Sequence, residues 1–221
     1  MSGIVGSRLN IRGSGLVGSL GTDGQVFTSA GAGAGAVFED AAGGGAWTFI
    51  SKVTISDDTE IDIESGIDST YPLYCFSFNN IKIATDEGYL LGRVKTDAFQ
   101  TGSDYQYVNT DTRANGSVFD NGTGESTSAT SMQIQNPNGQ GAAATESFNH
   151  LVYLAHPSNT TYYKHLWGIG TGFRSDGAMC RHLFFGCYAG DADAVTGMKF
   201  YLHDGNNLTS GTISLFGIKD S

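Results

Sequence analysis

Residues 195–219 read VTGMKFYLHDGNNLTSGTISLFGIK, in which two alternating runs flank a polar turn. In the first run Met198, Phe200 and Leu202 alternate with polar or amphipathic side chains, and Ile213 begins the same pattern in the second run. This period of two is typical of a strand with one buried face. The turn residues Asp-Gly-Asn-Asn tolerate positive φ, which allows the chain to reverse. The stretch therefore predicts two strands that meet at this turn and complete a sheet.

The same alternation recurs through most of the chain. Residues 109–130, which contain Asn-Gly twice and a Ser/Thr-rich run, are predicted to form a long loop. About ten short strands, with turn signals between them and no helical periodicity, predict an all-β antiparallel sandwich. A jelly roll is favoured because many intervening segments are too long for simple hairpins, and an up-and-down sandwich is the alternative. Besides the closing pair, the predicted strands are residues 47–55, 60–63, 74–78, 89–96, 104–108, 132–134, 150–155, 161–169 and 183–188.

The composition suits such a fold and argues against several functions. The chain has 221 residues, of which 32 are glycine and 15% are charged, a profile typical of an all-β protein with many turns. The formal net charge of -10 argues against binding to nucleic acid or to anionic membrane, because both require a basic surface. No apolar stretch of the sequence is long enough to span a bilayer, so we expect no membrane insertion.

The first residues lack a charged region followed by an apolar one, which is the pattern of a secretory signal. We therefore expect the protein to fold first in a reducing cytoplasm. The three cysteines, Cys75, Cys180 and Cys187, form no dense disulfide framework. They are interpreted as buried thiols, which behave as small apolar side chains.

Residues 1–45 differ in composition from residues 46–221, which are expected to form the β-sandwich domain. Glycine-rich runs such as residues 31–36 are separated by single apolar residues, and ordering so much glycine is entropically costly, so the segment alone should be flexible. Because apolar residues recur and Arg8 and Arg12 precede any acid, we predict an extended arm that becomes ordered on a partner; a disordered tail is the alternative. The predicted docking residues are Ile4, Val5, Arg8, Leu9, Ile11, Arg12, Leu16, Val17 and Leu20.

The sequence contains little that predicts catalysis, and we expect no enzymatic activity, no metal and no cofactor. Cys180, His182 and Cys187 could supply three zinc ligands, but their spacing fits no familiar zinc module. The turn at Asp191-Ala-Asp193 could contribute to calcium binding, yet the full calcium-loop pattern is absent. Residues 168–172, Gly-Ile-Gly-Thr-Gly, share glycines with nucleotide-binding turns but lack their final glycine and their βαβ context. Nucleophile elbows and P-loops are also missing from the sequence.

Aromatic residues are the remaining functional signal. Tyr162, Tyr163 and Trp167 could present flat rings outward, and sugar-binding surfaces use such rings because pyranose faces stack on them. A β-sandwich core also needs aromatic residues, and alternation turns only half of each strand outward. Core packing or subunit contact is the favoured interpretation, and a host surface glycan is the alternative partner.

Two stretches carry a resemblance to a known class of proteins. Residues 18–33 read GSLGTDGQVFTSAGAG and are followed by Val37-Phe-Glu-Asp40. They resemble the Gly-Thr-Asp-Gly-Gln-Val-Leu-Thr-Ser segment of fibre and other structural proteins of tailed bacteriophages. The closing residues 197–219 are similar to the final strands of jelly-roll domains in the same class of virion proteins. The resemblance implies a virion location, a trimeric assembly and no enzymatic activity.

The sequence thus leads to the hypothesis of a non-enzymatic bacteriophage virion protein, assembled in the host cytoplasm. Its arm would dock on capsid or tail subunits, and its β-sandwich would face outward, as expected for a head decoration or cement protein that forms a homotrimer. A tail fibre or receptor-binding protein with a carbohydrate-binding jelly-roll domain is the alternative. A glycan-cleaving enzyme ranks last, because no pair of carboxylates is recognisable in the sequence as its acid and base.

Overall fold

The computed structural model describes residues 25–29, 36–40, 46–114, 124–135 and 139–220. All of its regular secondary structure is β-strand. The chain divides into two units, Met1–Gly45 and Ala46–Ser221. Every strand pairing in the described residues is antiparallel, so the predicted all-β antiparallel fold is confirmed.

The first unit contains a hairpin that was not predicted. Strand β1 (Gln25–Ser29) pairs with β2 (Ala36–Asp40), and the rings of Phe27 and Phe38 lie 5.1 Å apart across the pair. Such cross-strand aromatic pairs stabilise two-stranded ribbons. Residues 25–29 and 36–40 are therefore paired strands. The predicted docking residues from Ile4 to Leu20 lie outside the described residues.

The second unit consists of a large sheet of eight strands and a small sheet of four. The large sheet has the order β3-β14-β5-β10-β11-β12-β7-β8, and the small sheet has the order β4-β13-β6-β9. The strands are β3 (Trp47–Ile55), β4 (Glu60–Ile63), β5 (Leu73–Ile83), β6 (Leu90–Lys95), β7 (Tyr105–Arg113), β8 (Glu125–Ala129), β9 (Met132–Gln133), β10 (Phe148–Ala155), β11 (Lys164–Phe173), β12 (Met179–Tyr188), β13 (Gly197–Leu202) and β14 (Leu208–Ile218).

The predicted pairing of the last two strands is wrong. Strand β13 lies between β4 and β6 in the small sheet, whereas β14 lies between β3 and β5 in the large sheet. The polar turn between them therefore carries the chain from one sheet to the other. Neighbouring loops hold this turn, because Asn206 Nδ2 donates to Thr85 Oγ1 at 2.7 Å and Asn207 Nδ2 donates to Asp57 Oδ1 at 2.9 Å.

The predicted long loop at residues 109–130 is also wrong in part. Strand β7 continues to Arg113, and residues Glu125–Ala129 form β8, which pairs with the first half of β7. The inward-facing positions of this part of β7 are Asn109 and Asp111, which are buried although they are polar. Because the prediction depended on apolar residues at alternate positions, it did not detect the part of β7 whose inward positions are polar.

Eight of the strands form four nested pairs. Strand β3 pairs with β14, β4 with β13, β5 with β10, and β6 with β9. The first of the eight thus pairs with the last, the second with the next to last, and so on inward. Strands β7, β8, β11 and β12 extend the large sheet beyond β10, so the large sheet is wider than the small one.

The core lies where the two sheets face each other. Phe76 and Phe78 of β5 pack edge-on against Phe200 of β13, with ring centroids 5.2 and 4.9 Å apart. Met198, Phe200 and Leu202 are fully buried, as their alternation predicted. Burying one such side chain stabilises a fold by roughly 1.5–3 kcal/mol, so these contacts hold the sheets together as a sandwich.

Candidate functional site

The large sheet carries a line of apolar side chains on the face that points away from the core, here called the outer face. Cross-strand register places one residue from each of seven neighbouring strands side by side. Neighbouring strands are about 4.8 Å apart, so the line is about 29 Å long. We call it the aromatic row; its members are Phe49, Phe216, Cys75, Tyr153, Trp167, Phe185 and Val108.

Several of these side chains are open to solvent. Phe49 is 58% exposed, Phe185 is 51% exposed and Val108 is 47% exposed, and Ile169 lies on the same face with 49% exposed. An antiparallel sheet with one face in water normally alternates apolar and polar residues. Both faces of this sheet are instead apolar over its middle strands. Apolar patches of this kind mark surfaces that contact other molecules.

The rings of the aromatic row hold one another in place. Tyr153 and Trp167 are stacked, with centroids 5.6 Å apart and planes at 16°. Trp47 packs edge-on against Tyr153 at 6.2 Å and against Phe216 at 5.7 Å. Cys75 lies beneath these rings, and burial raises the pKa of its thiol to about 12. The surface is therefore pre-organised, and its thiol is protonated at neutral pH.

The outward side of the small sheet has the opposite character. Lys199 of β13 forms ion pairs with Glu60 at 2.6 Å and with Asp62 at 3.4 Å, and Lys95 of β6 pairs with Glu64 at 2.5 Å. Opposite charges on neighbouring strands are a usual arrangement for a face in water. The two outward sides of the sandwich thus differ, and the apolar one is the candidate contact surface.

Tyr162 and Tyr163, two of the three predicted glycan-facing residues, border a hollow of about 450 Å³. They are 70% and 54% exposed. The side-chain oxygen of Asn159 accepts hydrogen bonds from the backbone nitrogens of Thr161 and Tyr162 at 2.8 and 3.0 Å, which fixes the turn that carries the rings. The other lining residues are Ala155, His156, Asn159 and His165.

Trp167, the third predicted glycan-facing residue, does not line this hollow. Its ring is stacked on Tyr153 in the aromatic row instead. The structure therefore assigns the three residues to two different surfaces. A larger hollow of about 770 Å³ lies on the outer face at the β8 edge of the large sheet, and its polar lining residues include Gln106, Glu125, Thr127 and His165.

A buried polar cluster, which was not predicted, lies on the inner side of the large sheet. The rings of His150 and His182 are 5.2 Å apart and nearly parallel. Gln135 Nε2 lies 3.1 Å from His150 Nε2, and Gln140 Nε2 lies 3.0 Å from His182 Nε2. We call these four residues, together with Cys180, whose sulfur lies 3.0 Å from His182 Nε2, the histidine cluster.

Burial keeps both histidines of the cluster neutral. It lowers the pKa of His150 well below its ordinary value. Burial, together with the positive charge of Arg174, lowers the pKa of His182 to about 4. The backbone nitrogen of Leu90 donates to Gln135 Oε1 at 2.9 Å, so the Gln135 amide nitrogen donates to His150 Nε2 and the ring proton resides on Nδ1.

A buried ion pair adjoins the histidine cluster. Arg174 Nη1 donates to Asp111 Oδ2 at 3.1 Å, and both side chains are buried. In such an environment each charge depends on its partner, because removing one leaves the other uncompensated. The inner side of the large sheet beyond the apolar core is therefore a network of specific polar contacts.

The glycine run at residues 168–172 makes room for this network. Gly168, Gly170 and Gly172 are alternate residues of β11 that point inward, and a Cβ atom at Gly170 would overlap the His150 ring. A Cβ atom at Gly172 would likewise overlap the Gln140 side chain. The glycines thus allow close packing within a strand and do not form a turn.

The candidate zinc ligands do not converge. Cys180 and His182 point to the inner side of β12, whereas Cys187 lies five positions after His182 and therefore points to the outer face. In the described part of the chain, no three His, Cys, Asp or Glu residues are placed to hold a metal ion. All three cysteines are free; Cys75 and Cys180 are buried as predicted, and Cys187 is partly exposed.

The Asp191-Ala-Asp193 turn wraps around a lysine. Asp191 Oδ2 accepts from the Tyr188 hydroxyl at 2.8 Å, and its Oδ1 accepts from the backbone nitrogen of Asp193 at 2.9 Å. The carbonyl oxygen of Ala192 accepts from Lys164 Nζ at 2.8 Å. The positively charged ammonium group of Lys164 therefore lies against this turn and is hydrogen-bonded to it.

Comparison with protein-family models, curated proteins and solved structures gave no match. Among the described residues there is no helix of the length and apolar character that crossing a membrane requires.

Proposed function

We propose that the protein is a non-enzymatic structural subunit of a bacteriophage virion. Its residues 46–221 face outward, and its residues 1–45 dock on capsid or tail subunits, as in a head decoration or cement protein. Assembly takes place in the host cytoplasm. The observation that carries the proposal is the nested pairing of eight strands in two sheets of the second unit.

Nested pairing of this kind supports a jelly roll. In a jelly roll, eight strands form two Greek keys in two facing sheets, an architecture that is common in viral capsid and lectin domains. Here the sheets β3-β14-β5-β10 and β4-β13-β6-β9 would form the roll. Strands β7, β8, β11 and β12 would then be insertions that widen one sheet. The architecture and the resemblance of residues 18–33 to phage structural proteins support the same class of protein.

Charge supports the proposed role of the N-terminal residues. The chain has a net charge of -10, yet no acidic residue precedes Asp23, while Arg8 and Arg12 lie in that stretch. A basic, apolar segment can approach an acidic capsid surface at lower electrostatic cost than the rest of the chain. Its glycines allow the backbone to lie close to another protein.

Incorporation into particles tests this proposal. In the full-length chain, replacing Leu9, Ile11 and Leu16 by serine should remove the protein from purified virions, because the docking contacts would be lost. A matched variant with Ser7, Ser14 and Ser19 replaced by alanine should be incorporated normally. If the first variant is incorporated as well as the unchanged chain, the docking role of residues 1–45 is wrong.

The hollow beside Tyr162 and Tyr163 favours a second candidate function, a receptor-binding protein that recognises a host surface glycan. Exposed tyrosine rings beside imidazole and amide groups combine stacking with hydrogen bonding, as sugar recognition requires. Glycan-array binding should be lost in Tyr162→Ala/Tyr163→Ala and kept in Tyr201→Ala, which removes a ring on the outward side of the small sheet. The same loss in both variants, or no binding by the unchanged chain, would exclude this site.

A further inference from the structure

We propose that the outer face of the large sheet is the surface through which copies of this chain associate with one another. This deepens the proposed function, because it names the surface on which the expected homotrimer would be built. The occupant of the surface is a second copy of the same chain. Three features of the face support this: its area, its composition and the distribution of its charges.

The area of the outer face matches what a stable protein interface needs. The aromatic row crosses seven strands, about 29 Å at 4.8 Å per strand, and strands of ten or eleven residues such as β11 and β14 are about 30 Å long. The product is on the order of 900 Å². A stable interface buries about 800 Å² of each partner.

The composition of the face is that of an interface centre. Trp, Tyr and Phe are the residue types that dominate protein–protein interfaces, and they cluster at the middle of the contact. Trp167 and Tyr153 occupy the middle strands of the aromatic row, with Phe49 and Phe185 toward its ends. The rings of Tyr153 and Trp167 already contact each other, and the ring of Phe49 contacts Phe216, so these side chains lose little freedom when a partner covers them.

The charges of the face favour a second copy over a different partner. The chain has 22 acidic residues, but the described strands of the large sheet contain only Asp111, which points inward, and Glu125, which points outward. Two copies with a net charge of -10 repel each other over most of their surfaces. The outer face is therefore where they can approach most closely.

Charged residues at the two edges of the large sheet are complementary between copies. Lys52 lies on β3 at one edge of the large sheet, and Glu125 lies on β8 at the opposite edge. When the outer faces of three copies turn toward a common axis, the β3 edge of each copy lies beside the β8 edge of the next, and Lys52 approaches Glu125 of the next copy. A closed ring built from this contact is symmetric, and we expect three copies in it.

Sedimentation velocity of the full-length protein at micromolar concentration tests the inference. The unchanged chain should sediment as an oligomer, and Phe185→Glu should weaken association at least tenfold, because it places a charge in the apolar face. The matched control is Tyr201→Glu on the outward side of the small sheet, which should leave the mass unchanged. Circular dichroism establishes that each variant is folded; if Phe185→Glu is not, Val108→Glu serves in its place.

A charge exchange adds specificity to this test. Lys52→Glu should reduce association by repulsion from Glu125 of the next copy, and the double variant Lys52→Glu/Glu125→Lys should restore it. A single monomeric species for the unchanged chain, or full association of Phe185→Glu, would overturn the inference. If a glycan or another protein is the true occupant of the outer face, the unchanged chain will be a monomer that binds that molecule. Phe185→Glu will then lose this binding.

The outcomes separate this inference from the virion function. A chain that self-associates but never enters particles would support the interface and contradict the virion assignment. A chain that enters particles as a monomer would support the virion assignment and contradict the interface.

Discussion

The two sides of the large sheet are made by alternate residues of the same strands, yet they have opposite characters. Beyond the apolar core, the inner side buries His150, His182 and the Asp111–Arg174 ion pair. The outer side exposes phenylalanine and tryptophan rings to solvent. Several polar groups are thus buried on the inner side and several apolar rings are exposed on the outer side, and both features depart from the usual arrangement. The difference indicates that the inner side specifies the fold of one chain, whereas the outer side is suited to being covered by another.

The largest expected effect compares one phenylalanine from each side. Phe78→Ala removes a buried inner ring that packs on Phe200 and should lower the free energy of unfolding by about 3–5 kcal/mol. Phe185→Ala removes a half-exposed outer ring and should cost less than about 1 kcal/mol at concentrations where copies are separated. Urea denaturation measures both values. Equal losses would contradict the assignment of Phe185 to an open surface.

A slightly smaller effect distinguishes the buried ion pair from a surface pair. Asp111→Ala leaves the buried Arg174 charge uncompensated and should cost about 3 kcal/mol, the lower end of the usual range. The control is Asp176→Ala, which breaks the partly exposed pair of Asp176 with Arg113 at 3.5 Å and should cost less than about 1 kcal/mol. Thermal and urea unfolding of both variants measure the difference. A small loss for Asp111→Ala would show that water reaches the cluster.

The smallest of these effects is a dependence on pH. The folded-state pKa of His182 is about 4, below the ordinary value of 6.5. Between pH 6.5 and pH 4 the imidazole is therefore protonated in the unfolded chain but neutral in the folded chain. The stabilising contribution is therefore complete above pH 6.5 and is lost as the pH falls toward 4. Between pH 6.5 and 5, His182 alone should account for about 2 kcal/mol.

Urea denaturation at several pH values measures this loss. The charged or titratable groups around the pair are Asp111, Arg174 and Cys180, and His150 should add to the effect in the same direction. His182→Gln should reduce the slope of stability against pH, whereas His203→Gln, at an exposed turn, should leave it unchanged. Identical slopes in all three proteins would mean that the histidine cluster is hydrated in the folded state.

Much of the strand content could be predicted from local patterns. Met198, Phe200 and Leu202 alternate and are buried, and Tyr74, Phe76 and Phe78 alternate in the predicted strand 74–78 and are buried in β5. The polar cluster was missed, although His150 and His182 occupy alternate positions with buried apolar residues in β10 and β12. Those positions, together with the alternating glycines of β11, were the signal that could have revealed it.

The aromatic surface was predicted only in part. Trp167, Tyr162 and Tyr163 were singled out as outward-facing rings, but Phe49, Phe185 and Tyr153 were not. The runs Leu151-Val-Tyr-Leu154 and Leu183-Phe-Phe185 are apolar without interruption, which is the pattern of a strand covered on both sides. That pattern indicates that these strands are apolar on both faces, but it does not show which strands share the second face.

The amino-acid sequence by itself determined that the chain is all-β, where most strands of residues 46–221 lie, which face of the strands with apolar alternation is buried, and that composition changes at Ala46. These properties depend on side chains that are near neighbours along the chain. Only the tertiary structure decided that β13 and β14 belong to different sheets, that seven distant residues form the aromatic row, and that His150 lies against His182. Pairing and register depend on contacts between segments far apart in the chain, and a local period of two is compatible with many such pairings.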